Sequence, residues 1–108
     1  MSLAISSQNP PEIMSPQMRA TLSVFTADPT LMKLVEPFVD FKDEEIAWDK
    51  ILKMKFNPQH KVIIEVAYGI WMDKQRLYFD LFKDIFKLEA NIKTAILRAL
   101  AFRWDLKL

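Results

Sequence analysis

A single glycine, Gly69, in a chain of 108 residues sets the tightest limit on what this sequence can fold into. Glycine supplies the positive-φ positions that hairpin turns, bulges, phosphate loops and nucleophile elbows use, so those devices have little scope here. With hydrophobic residues at 51% and aromatic residues at 12% of the chain, the remaining route to a buried core is helix packed on helix. The expected fold is all-α: a compact bundle of five or six short helices preceded by an extended N-terminal arm.

At 12.7 kDa for the whole chain, the helical part is expected to form one domain over residues 16–108. A chain of this size buries roughly 65% of the surface that its unfolded form exposes, which is enough for a core without staples. Charged residues make up 27%, too few for disorder of the whole chain given the apolar content. Cysteine is absent. That excludes a disulfide framework and thiolate metal sites, favours a reducing compartment, and makes the cytoplasm the expected location. A net charge of +1 creates no global field toward a polyanion or an anionic membrane. The longest apolar run, Val62 to Met72, is interrupted by Glu65 and is too short to cross a bilayer. The first residues lack the basic-then-apolar layout of a secretion signal, so neither secretion nor a membrane partner is expected.

Residues 1–15 combine Ser, Asn and Gln with the adjacent Pro10 and Pro11, a composition suited to an arm outside the core. Ile5 and Ile13 are its expected anchors, on this chain or on a neighbour. Beyond it, a capping residue followed by proline recurs at Ser15-Pro16, Asp28-Pro29 and Asn57-Pro58. Proline suits the first helical position because its missing N–H has no partner there. The pattern predicts helices over 16–26, 29–36, 43–55, 58–72, 74–87 and 91–105, with Pro37 driving Glu36 out of the α region to end the second. In the third, Asp43, Glu44 and Glu45 at the start and Lys50, Lys53 and Lys55 at the end complement the helix dipole. The fourth is apolar almost all round, leaving only Lys61, Glu65 and Gly69 as a narrow stripe, which predicts a place in the middle of the bundle. One apolar stripe runs from Leu77 to Leu106 in steps of three and four. A fold-back near residues 87–91, capped by Asn91, is what makes those segments compact.

The inventory for chemistry is thin. His60 is the lone histidine, and in the first turn of its helix it is expected to be partly exposed. The acidic group Asp40, Asp43, Glu44 and Glu45 lacks the alternating ligands and central glycine of a calcium loop. No catalytic residue, metal site or cofactor is assigned, and the chain is expected not to be an enzyme. The sharper electrostatic signal is Lys50, Lys53, Lys55 and Lys61, four cations with no acidic residue from Lys50 to Lys61 and a short turn before a helix start. Together with His60 and the Gln59 amide they could hold a phosphate or other anion, as helix starts do. Against nucleic acid, the helix that follows carries Val62, Ile63, Ile64 and Val66, too few polar side chains to read base edges. Lys93, Arg98 and Arg103 fall at about 0°, 140° and 280° around their helix, which is not a binding stripe.

The aromatic set Tyr78, Phe79, Phe82, Phe86, Phe102 and Trp104 is the remaining feature. Phe79 and Phe86 lie off the main apolar stripe, so the fifth helix has a second apolar face to cover. A surface of that kind is covered by other parts of the chain or marks an interaction site. The function expected from sequence is a non-enzymatic protein-interaction module, self-associating through the aromatic face of Phe79, Phe86 and Trp104 or by docking of the arm at residues 1–15. The alternative is a small regulator binding nucleic acid or another polyanion through Lys50, Lys53, Lys55 and Lys61.

Overall fold

Four helices begin on a side chain that closes their first turn. Ser15 Oγ accepts from the Met18 N–H at 3.1 Å, Asp28 Oδ1 from Leu31 at 3.2 Å, Asn57 Oδ1 from His60 at 2.7 Å and Asp80 Oδ1 from Lys83 at 3.1 Å. Each cap satisfies an N–H that the helix itself leaves without a partner. A computed structural model describes residues 14–76 and 80–107, and the expected anchors Ile5 and Ile13, like Tyr78 and Phe79, lie outside the described residues. Among the described residues the helices are α1 (Pro16–Thr26), α2 (Pro29–Val35), α3 (Trp48–Ile51), α4 (Pro58–Met72), α5 (Leu81–Ile85) and α6 (Ala90–Arg103). The fold is therefore all-α, as the glycine-poor sequence requires, and α1 and α4 have the boundaries that their caps predict.

Four of the expected helices are revised. Within 43–55 only Trp48–Ile51 is helical; before it, β1 (Val39–Asp40) pairs antiparallel with β2 (Glu45–Ile46) in a small hairpin. Asp40 Oδ1 accepts from the Asp43 N–H at 2.9 Å, and Glu44 takes a left-handed φ of 53°. This side-chain bond gives the backbone an alternative to helix and reverses it without a glycine. Within 74–87 only Leu81–Ile85 is helical. Asp73 ends α4 in the left-handed region, and Asp80 opens a separate short helix. The fold-back is present, but Glu89 occupies the cap position of α6 and Asn91 lies inside its first turn. At Pro37 the chain does leave the α-helix, yet Glu36 keeps φ −52° and ψ −41°, and the chain tightens into a 3₁₀ turn over Glu36–Phe38.

The middle of the bundle is α1, not α4. Met18, Val24 and Phe25 on α1 are fully buried, and both α4 and α6 pack extensively on that helix while touching each other little. From α4 come Ile63 and Ala67, and from α6 Ile92 and Ile96, all buried in the same core. Thr21, buried on α1, satisfies its hydroxyl by donating to the Gln17 carbonyl at 2.8 Å. Trp48 joins α1, α3 and α4: its ring lies 5.9 Å from that of Phe25, 5.4 Å from Tyr68 and 6.3 Å from Trp71, centre to centre. The Gln17 amide donates to the Trp71 carbonyl at 2.6 Å and ties the start of α1 to the end of α4.

Candidate functional site

Among the described residues the most exposed large hydrophobic side chains lie on α5 and at its C-cap. Phe82 is 79% and Phe86 77% exposed, four residues apart and so on neighbouring turns of the helix edge. Phe86 was expected as a contact residue from sequence; Phe82 joins it, and Phe79 lies outside the described residues. Trp104, the third expected contact residue, caps the end of α6 and is 61% exposed. Leu97, seven residues earlier and therefore on the same face of α6, is exposed as well. Phe102 points elsewhere, under the Arg19 guanidinium, whose carbon sits 4.7 Å from the ring centre. That contact is a cation–π interaction between α6 and α1.

The four lysines come from two helices and the loop between them. Lys50 lies on α3, Lys53 and Lys55 in the loop after it, and Lys61 on α4, and all are exposed. Lys50 borders a groove with Phe38 and Ile46, whereas Lys61 borders another with Ile51 and Ile64. None of the four forms an ion pair among the described residues.

The α4 start that would receive an anion already holds one. Asp28 Oδ2 accepts from the Gln59 amide at 3.2 Å and lies 2.9 Å from His60 Nε2. A carboxylate only accepts, so Nε2 carries the hydrogen of that bond. His60 is 6% exposed, not the partly exposed ring expected, because its partner lies 32 residues away on the cap of α2. Burial pushes the Asp28 carboxyl upward, but the Leu31 N–H, the Gln59 amide and His60 together outweigh it and hold the group below its ordinary value.

A cavity between α4 and α6 went unrecognised in the sequence. Glu65 and Gly69 of the narrow stripe on α4 line it, facing Leu100, Arg103 and Trp104 of α6. The signal was that stripe: a polar and a small residue interrupting an otherwise apolar helix. Among the described residues no other helix comes within 4 Å of a Cβ placed on Gly69, which would meet the Lys74 carbonyl oxygen at 3.4 Å. Glu65 Oε2 faces Arg76 Nε at 3.4 Å, and Arg103 Nη2 donates to Asp73 Oδ2 at 2.9 Å. Burial raises the Glu65 carboxyl above its ordinary value, against the opposing pull of Arg76. Comparison with protein-family models, with curated proteins and with solved structures gives no match, and the arrangement is read from its own chemistry.

Proposed function

We propose that this chain acts through protein contacts and not through catalysis, associating with a second copy of itself by way of the aromatic surface on α5 and the end of α6. The exposure of Phe82 on α5 and of Phe86 at its C-cap, four residues apart, carries this reading. Two phenyl rings exposed to water forgo the free energy that burial would return, and aromatic side chains are enriched where proteins meet. A five-residue helix also gains little from its own hydrogen bonds, so a partner packed on it would supply stability that it lacks alone. Leu97 and Trp104 add exposed apolar side chains on α6 and at its end. A cysteine-free chain suits the reducing cytoplasm as the setting for such contacts.

Molar mass by light scattering after size exclusion tests the proposal on the full chain and on a Phe82→Ser, Phe86→Ser double variant. Both side chains are exposed, so the thermal midpoint is expected to stay within a few degrees of the parent. The parent is expected to run as a dimer and the variant as a monomer, with each ring contributing about 2 kcal/mol if it is a hot spot. Equal masses for the two rule out association through α5.

The second reading is a polyanion ligand at Lys50, Lys53, Lys55 and Lys61, favoured by their exposure without ion pairs among the described residues. Retention on heparin that falls steeply with salt would support it; the Asp28 carboxylate at the α4 start weighs against it.

A further inference from the structure

Neither α1 nor α6 contains an aspartate or a glutamate, and the two helices pack side by side. Their cations have no acidic partner within the pair. Arg103 finds Asp73 at the end of α4, whereas Arg19 and Arg98 are exposed and form no ion pair among the described residues. Both line a groove of about 520 Å³ between the helices, together with Ser23 of α1 and Ala95, Ala99 and Phe102 of α6. Spacing alone scatters Lys93, Arg98 and Arg103 around α6; the packing of α1 is what gives Arg98 a second guanidinium as neighbour. The Arg19 guanidinium carbon sits 4.7 Å from the centre of the Phe102 ring. Arg98 precedes Phe102 by one turn on the same face, where Cβ atoms stand about 5–6 Å apart, a gap that an arginine stem can cross. The two guanidinium groups are thus within reach of one small group lodged beside Phe102.

The lining narrows the ligand. The Phe102 ring holds the Arg19 guanidinium through its π face and accepts none of its five N–H groups. Ser23 already gives its hydroxyl hydrogen to the Ala20 carbonyl at 2.8 Å, so the donors offered to a ligand are the two guanidinium forks. Two positive charges with no acid on either helix call for an anion, and the arginine fork matches phosphate oxygens. A carboxylate fills one fork; a phosphate monoester, with close to two negative charges and three free oxygens at neutral pH, fills two. The groove has the size of a small-molecule site, roughly 300–1,000 Å³, and the small side chains of Ala95 and Ala99 leave an apolar floor in it. We propose that the α1–α6 groove binds a small organic phosphate monoester, its phosphate held between Arg19 and Arg98 and its carbon part lying along Ala95, Ala99 and Phe102. Leu97 lies on the opposite side of α6, so the groove stands apart from the surface proposed for self-association.

Isothermal titration of the full chain at about pH 7 tests this with phenyl phosphate as the probe. Phenyl sulfate is the singly charged control of the same shape, and inorganic phosphate the control without a ring. Phenyl phosphate is expected to bind saturably, and each control more weakly by about tenfold or more, the effect of one lost charge-assisted hydrogen bond or of one ring left unburied. Arg98→Gln and Arg19→Gln are each expected to weaken phenyl phosphate by about tenfold or more. Lys33→Gln on α2 makes the same change in net charge at an exposed side chain with no ion pair among the described residues, and is expected to leave the affinity within about twofold. Absence of saturable binding of phenyl phosphate, or equal weakening by Lys33→Gln, overturns the site. Phenyl sulfate bound as tightly, or affinity retained in either arginine variant, overturns the two-fork assignment. Inorganic phosphate bound as tightly overturns the organic part of the ligand. The comparison of the three ligands is made on the unmodified chain and stands whether or not a variant folds.

Discussion

Asp28 serves two helices with one carboxylate. Its Oδ1 closes the first turn of α2, and its Oδ2 takes the Gln59 and His60 side chains of α4. The first role was legible in the sequence, since Asp before Pro at the edge of an apolar run is a local signal. The second was not: no rule of spacing pairs His60 with a residue 32 positions earlier, so its burial followed from packing alone. The carboxyl is held below its ordinary value of 3.8 in the fold. A group lowered in this way stabilises the fold fully above its unfolded value and loses that contribution as pH falls through the folded one. Asp28→Asn keeps a capping side chain of the same size and removes the charge. The variant is expected to be less stable by about 1–3 kcal/mol at pH 7, the range for a buried hydrogen bond to a charged group. The gap should close as pH drops below about 4, where the parent carboxyl also begins to be protonated in the unfolded chain. Thermal unfolding of both proteins at pH 7 and pH 3 checks this, and a gap that persists at low pH would assign the effect to shape and not to charge.

Among the elements, α1 and α4 were readable to their end residues because each has a strong cap with proline after it, whereas α3 and α5 were overestimated. The charges at 43–45 and 50–55 mimic a helix with its dipole compensated, but Asp40 captures the Asp43 N–H and turns the chain into the β1–β2 hairpin. The Glu44 carboxylate then accepts from the Ser15 N–H at 3.1 Å, a tertiary use that a local pattern does not reveal. For α5 the period of the apolar residues continues through 74–87, yet Asp73 in the left-handed region and the Asp80 cap confine the helix to five residues. With Phe82 and Phe86 exposed, the anchors among its described side chains are half-buried Ile85 and buried Leu88 just beyond its end. Local opening follows the density of buried contacts. The α5 amides of Lys83 to Ile85 are therefore expected to exchange with solvent at least about 100-fold faster than those of α1, a difference near 3 kcal/mol in opening free energy. Hydrogen exchange followed by NMR measures it. Protection of α5 equal to that of α1 in the monomer would mean that the exposed rings are not a weakly held face.

At the scale of the whole molecule, the all-α class was set by the scarcity of glycine, but the arrangement of helices was not. The uniformly apolar α4 reads as the central helix because hydropathy does not separate residues that meet another helix from residues that line a cavity. Here α1 is the shared support, and the surplus apolar surface of α4 borders the space in front of α6. That layout makes a specific statement about cooperativity. If α4 and α6 were joined mainly to each other, weakening either would leave the other half of the core in place. Since both depend on α1, loss of either uncovers Met18, Val24 or Phe25 and the remainder cannot stand. Ile63→Ala on α4 and Ile96→Ala on α6, each truncating a nearly fully buried side chain, are expected to cost about 2–5 kcal/mol apiece. In both variants the far-UV signal of helix and the near-UV signal of the Trp48 cluster should fall in one coincident transition. A helix signal that declines first in Ile96→Ala, with the Trp48 signal intact, would show that α6 is a separable layer and that α1 with α4 holds a core of its own.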